Sequence, residues 1–149
     1  MNLQAQSVES SNKHFWNTIE TSASPEAIWK IWIDVPNWYL WDTELKGAEL
    51  KGDFAKGIKG VLIPKKGRKA KFKIVTYEEG KSYTFKTKLP LSGLFVKRTL
   101  EVKEGKTFFT HEVWFKGITR GIFARVLGKD FRKALPEVME KIQKIAESK

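Results

Sequence analysis

Between Lys69 and Gly117 apolar and charged residues alternate in four successive runs separated by short glycine-bearing joints, and no other stretch constrains the fold as strongly. Ala70, Phe72 and Ile74 oppose Lys71 and Lys73, and Tyr83, Phe85, Thr87 and Leu89 oppose Lys86 and Lys88. Val96, Arg98, Leu100 and Val102 oppose Lys97, Thr99, Glu101 and Lys103. A period of two puts alternate side chains on opposite faces of a strand, so one face is buried and the other is wet. In the last run His111, Val113 and Phe115 compete with Trp114 on the other side, which predicts either a bulge or burial of both faces.

The joints include Glu78-Glu79-Gly80, Pro90-Leu91-Ser92-Gly93 and Glu104-Gly105-Lys106, too short for anything but antiparallel pairing. Strands are expected near 43–51, 57–63, 69–77, 81–89, 94–103 and 107–117. Without long crossover helices, a dinucleotide-type parallel sheet is disfavoured.

Two further elements flank the meander. His14 to Thr21 alternates as a first strand, after which Ser24 is an N-cap and Pro25 occupies the first helical position, where its missing N–H costs nothing. This helix runs to about Asp34, with Ile28, Ile31, Trp32 and Val35 as its apolar stripe, and Pro36 stops it. Asn37 to Trp41 makes one more short turn. From about Thr119 to Ala146 the period becomes helical, through Ile122, Val126, Ala134, Leu135, Val138, Met139, Ile142 and Ile145. Pro136 is expected to kink this helix, and Asp130 is positioned to cap a segment beginning near Gly128.

A chain of 149 residues is most simply one domain, here 13–149, preceded by a polar, flexible arm over 1–12. Cysteine is absent and only His14 and His111 are present, which removes disulfides, a thiolate nucleophile and the usual zinc sites. No metal and no cofactor is expected. Gly52, Gly57, Gly60 and Gly67 belong to hairpins rather than to a phosphate-cradling loop before a helix. No leader pattern and no run of eighteen apolar residues is present, so a cytoplasmic location is expected.

Ser24-Pro25-Glu26 with Ile28-Trp29, Asp34-Val35-Pro36-Asn37-Trp38 and Trp41-Asp42 resemble the START-like, or Bet v 1-like, superfamily, specifically its polyketide cyclase/dehydrase (SRPBCC) group. Gly57 and Gly60, His111-Glu112-Val113 leading to Phe115 and Gly117, and the closing helix extend the resemblance over roughly 13–147. It implies an α+β helix-grip fold, a curved seven-stranded antiparallel sheet around a long C-terminal helix, with two short helices after the first strand. It implies binding or transport of apolar small molecules and, in a minority of members, cyclase or hydrolase chemistry. No universal catalytic set comes with it, and no catalytic residue is assigned.

The expected pocket wall combines Trp29, Ile33, Trp38 and Trp41 with Phe72, Ile74, Phe85, Leu89, Val96 and Leu100, closed by Ile122, Phe123, Val126, Leu127 and Phe131. Arg98 and His111 share the inner face as its polar members. Arg98 is read either as a fork of donors for a ligand carboxylate or phenolate, or as a structural partner of Glu20, Glu49 or Glu112. Asp42 and Glu44 read as capping and surface residues, because alternation does not bring them to a cavity.

Three functions compete. The first is carriage of a hydrophobic small molecule, lipid or aromatic and polyketide-like. The second is a cyclase- or hydrolase-type enzyme acting through Arg98 or His111. The third uses the net charge of +11: Lys71, Lys73, Lys86, Lys88 and Lys97 project together as a basic adaptor face for RNA, the ribosome or an anionic membrane. That face is expected to lack interleaved aromatics, which argues against stacking recognition of single strands. The loop from Leu89 to Phe95 is a lid, a pocket entrance, a membrane-touching tip or ordinary packing. The oligomeric state is not read from the sequence.

Overall fold

In the computed structural model, which describes residues 10–148, seven strands form one antiparallel sheet: β1 His14–Thr21, β2 Leu45–Leu50, β3 Lys59–Pro64, β4 Ala70–Glu78, β5 Ser82–Leu89, β6 Ser92–Lys103 and β7 Lys106–Gly117. Their order, β1-β7-β6-β5-β4-β3-β2, is a meander whose first strand pairs with its last. β1 and β2 are thereby the two edges. The connection between them carries α1 (Pro25–Ile33) and a 3-10 helix (Val35–Leu40). Beyond β7, α2 (Arg120–Phe123), a π-helical segment (Ala124–Gly128) and α3 (Lys129–Glu147) follow in succession.

Local chemistry explains the helix boundaries. Ser24 accepts the Ala27 N–H through its hydroxyl, and Pro25 stands in the first turn. Pro36 then has a second consequence. The carbonyl of Trp32 would normally accept from the residue four positions on, which is Pro36 and has no N–H, so this carbonyl leaves the helix unpartnered.

The expected strand order holds, with ends displaced by one or two residues. β6 and β7 pair without a shift from Ser92↔Gly117 to Lys103↔Lys106, so β7 has no bulge there. Trp114 is instead accommodated on the outer face, stacked on Phe95 with ring centroids 5.4 Å apart. Pairing continues as one row, His14–Trp114–Phe95–Lys86–Lys73–Lys59. The lysine face therefore does carry aromatic rings, contrary to expectation. Val102, assigned inward, is exposed near the end of β6.

Phe72 covers Gly60 of the adjacent strand, where an added Cβ would lie 2.4 Å from the ring. Gly60 thus relieves crowding from a sheet neighbour, whereas Gly57 sits at positive φ in a turn.

The closing element buries Ala124, Gly128, Leu135, Val138, Met139 and Ile142, while Ile122 and Val126 point outward, because at about 100° per residue they fall nearly opposite that face rather than on it. Helix α3 continues through Pro136, which is exposed, and Asp130 makes no capping bond. Of the expected arm, residues 1–9 lie outside the described residues. Ser10 and Asn12 are held against α3 by Arg132, whose guanidinium donates to Ser10 Oγ at 2.7 Å and to Asn12 Oδ1 at 3.4 Å. No helix among the described residues is long and apolar enough to cross a membrane.

Candidate functional site

The orphan carbonyl of Trp32 organises the interior. It accepts the Trp38 indole N–H at 2.9 Å and the Tyr83 hydroxyl at 3.0 Å. Tyr83 in turn accepts from Arg98 Nη1 at 2.7 Å. The Trp32 indole N–H donates to His111 Nε2 at 3.1 Å. Since indole nitrogen only donates, neutral His111 carries its proton on Nδ1. One buried network thus joins α1, the 3-10 helix and strands β5, β6 and β7.

Arg98 is 3% exposed and pairs directly across the strands with His111, itself 1% exposed. Its guanidinium carbon lies 4.8 Å from the Trp38 ring, 4.9 Å from Trp41, 5.1 Å from Phe85 and 5.7 Å from Tyr83. These π faces offset part of the cost of burying the cation. No described carboxylate comes within salt-bridge distance of Arg98: Glu112 pairs with His14, Glu20 with Lys106, and Glu49 is exposed. Arg98 Nε has no hydrogen-bond partner.

Beside this group a cavity of about 120 Å³ opens between the sheet and α3. Phe85, Val96, Arg98, His111 and Phe131 of the expected wall line it, together with Thr87, Leu94, Val113, Leu135 and Val138. Leu62, Leu45, Ala134, Asp42 and Glu44 also border it. Of three buried polar side-chain atoms without a partner among the described residues, two, Arg98 Nε and Thr87 Oγ1, belong to residues of this lining. Buried polar groups are nearly always paired, so two such orphans at one cavity mark an unfilled polar requirement.

The remaining expected wall residues stand elsewhere. Trp38, Trp41 and Phe72 are buried behind the lining, with Trp38 stacked on Phe72 at 5.6 Å. Trp29 packs against Trp32 and Tyr83, and Leu100 is a buried core residue. Leu89, Phe123 and Leu127 are partly buried against the core without facing this space. Sequence reasoning missed Thr87 as an orphan, although alternation placed it inward, and set Asp42 and Glu44 aside as capping and surface residues. Those two reach the rim because the loop turns on itself, with Asp42 Oδ1 accepting the Glu44 N–H at 3.1 Å.

Burial raises the Asp42 carboxyl above its ordinary range, against the lowering influence of the Glu44 N–H, Arg98 and Lys65. Glu44 is raised by burial and then by the charge of Asp42. His111 is held well below its ordinary value, first by burial and then by Arg98.

A larger depression, about 400 Å³, lies between α1, the 3-10 helix and the end of α3. Three of its polar residues already serve local structure: Ser24 caps α1 and Asp34 accepts from Asn37 at 2.8 Å. None of the three orphaned atoms borders it. The cavity at Arg98 is therefore the better candidate.

Solved structures share this architecture. A protein from Mesorhizobium loti, MLL2253, is similar at 16% identity with a TM-score of 0.72, covering 91% of this chain and 97% of its own. Norcoclaurine synthase from Thalictrum flavum, solved with dopamine and hydroxybenzaldehyde, is similar at 14% identity and a TM-score of 0.66, with 91% and 87% covered. Ara h 8.0201 is similar at 12% identity and a TM-score of 0.70, with 91% and 98% covered. At these identities the likeness is one of fold. No curated protein matches the sequence. Residues 13–147 match the family described as polyketide cyclase / dehydrase and lipid transport, and the chain belongs to that family.

Proposed function

We propose that the protein binds a small, largely apolar molecule whose carboxylate or phenolate oxygen accepts from Arg98 Nε–H and Thr87 Oγ–H. The observation that carries this reading is a pair of orphaned donors on two residues that line one apolar cavity. Size narrows the class. A cavity of about 150 Å³ in an engineered protein takes a benzene ring, so 120 Å³ suits a compound of about one ring. Drug-sized ligands occupy roughly 300–1,000 Å³, so a lipid or a multi-ring polyketide requires α3 to move away from the sheet.

Titration calorimetry with benzenesulfonate, benzoate and toluene tests the reading. Benzenesulfonate keeps its charge at every working pH and separates anion recognition from ligand protonation. The expected result is that both anions bind more tightly than toluene, and that Arg98→Met weakens them roughly tenfold or more, the loss of one charge-assisted hydrogen bond. Arg98→Met retains the fold, because replacing a buried cation by a packed apolar side chain is often neutral or stabilising. Equal binding of toluene and benzenesulfonate, or full affinity in Arg98→Met, overturns the proposal.

Catalysis has one specific point in its favour, the raised carboxyl of Asp42 on the same rim as Arg98. Turnover of an aromatic ester or polyketide-like substrate that Asp42→Asn abolishes, with binding intact, would establish it.

A further inference from the structure

Four large aliphatic side chains stand outside the core at one end of the molecule. Leu91 is 72% exposed, Ile118 85%, Ile122 63% and Val126 60%. They come from two segments joined at the backbone, where the Ile118 N–H donates to the Leu91 carbonyl at 3.0 Å and Thr119 Oγ1 donates to the Pro90 carbonyl at 2.5 Å. Gly117 permits this junction: its φ is +116°, and an added Cβ would lie 2.5 Å from Ser92 Cα. Ile122 and Val126 follow one helical turn apart, on the side opposite the buried Ala124 and Gly128.

Folding does not require these choices. Leu91 forms the apex of the β5–β6 hairpin with φ at +57°, a conformation that glycine or asparagine adopts with less strain. A bulky apolar residue held there and left in water is explained by what it touches outside the chain.

Charge identifies the partner. The segments 88–93 and 116–129 contain five basic residues, Lys88, Lys116, Arg120, Arg125 and Lys129, and no acidic one. Aliphatic side chains offer no ring for a nucleobase to stack on. A second copy of this patch would set cations against cations with no acid between them. Protruding aliphatics ringed by Lys and Arg are the chemistry of a surface that dips into an anionic bilayer, with apolar tips among the acyl chains and cations among the headgroups.

We propose that this tip docks the protein peripherally on membranes rich in anionic phospholipid. The surface shares Lys88 and Lys116 with the end of the outer sheet but not the row through Lys86, Lys73 and Lys59, and the proposal stands whatever the cavity holds.

Flotation with phosphatidylcholine vesicles, with and without phosphatidylglycerol, tests it on the full chain at low and high salt. Binding is expected to the mixed vesicles, to weaken at high salt, and to fall roughly tenfold or more in Ile118→Ser/Ile122→Ser. Arg120→Glu/Arg125→Glu is expected to lower binding to the mixed vesicles roughly tenfold as well. Lys71→Glu/Lys73→Glu on the outer sheet is expected to leave it unchanged. All these positions are exposed, so circular dichroism of each variant matches the parent. The proposal is overturned by absence of vesicle binding at low salt. It is equally overturned by full binding in Ile118→Ser/Ile122→Ser, by loss confined to the outer-sheet variant, or by single-stranded RNA displacing vesicles from the tip.

Discussion

The two faces of the sheet both place cations over aromatic rings, with opposite consequences. Outside, Lys86 and Lys116 each lie 5.7 Å from the Phe95 ring, and Phe95 is stacked on Trp114 in contact with solvent. Inside, Arg98 is enclosed by four rings and retains a donor without an acceptor. The interaction type is the same. Water completes the hydrogen bonds of the outer lysines, so their site needs nothing more. The inner arginine has lost that solvent, and its requirement can be met only by a ligand or by water in the cavity. Burial of the cation, more than the cation–π contact itself, separates a candidate binding site from a solvated surface.

Core truncation should give the largest contrast. Trp38→Ala removes a fully buried ring and the N–H that serves the Trp32 carbonyl, at an expected cost of about 3–5 kcal/mol in urea unfolding. Trp114→Ala on the outer face is expected to cost less than about 1.5 kcal/mol, the scale of one aromatic pair. Comparable losses would mean that the outer stack is as structural as the inner box.

Next comes Tyr83→Phe, which leaves both Arg98 Nη1 and the Trp32 carbonyl short of a partner. A loss of about 1–3 kcal/mol is expected for such uncompensated buried groups, read from the shift in denaturation midpoint. A loss below about 0.5 kcal/mol would show that water replaces the hydroxyl and that the box is wet.

Titration of His111 gives a smaller effect with a definite sign. Its folded-state value is depressed, so the neutral form stabilises the fold above the unfolded value of about 6.5, and that stability is lost as the pH falls below it. Asp42 and Glu44, raised in the folded state, act oppositely and stabilise on acidification. The difference between wild type and His111→Gln cancels their contribution. It is expected to shrink by about 1 kcal/mol between roughly pH 7 and 5.5, and a flat difference would mean that His111 is reached by solvent.

Thr87→Val is expected to move stability least, by less than about 0.5 kcal/mol or slightly upward, because it replaces an orphaned hydroxyl with an isosteric methyl group. Affinity for benzenesulfonate should nevertheless fall several-fold. Unchanged affinity would remove Thr87 from the proposed site.

Periodicity made most of the architecture legible. Alternation from Ala70 onward set the strand faces, Ser24-Pro25 set the start of α1, and the inward phase of Arg98 and His111 followed from the same count of two. Three features escaped for identifiable reasons. Trp32 reads as one more apolar position of a helical stripe, and only the proline four residues later hints that its carbonyl is available. Asp42 and Glu44 lie in a loop, where no period reports direction. Ile122 and Val126 group with the buried stripe by their apolar type alone, although at about 100° per residue they fall nearly opposite Leu135, Val138 and Ile142 and stand exposed.

The central claim is that Arg98 Nε waits for an acceptor supplied by a ligand. The most direct measurement follows the Arg98 Nε–H resonance by nitrogen–proton NMR while benzenesulfonate is added, with Arg98→Met supplying the assignment. The account predicts a downfield proton shift that saturates along the same isotherm as the calorimetric binding. A resonance that stays in place while benzenesulfonate binds would contradict it.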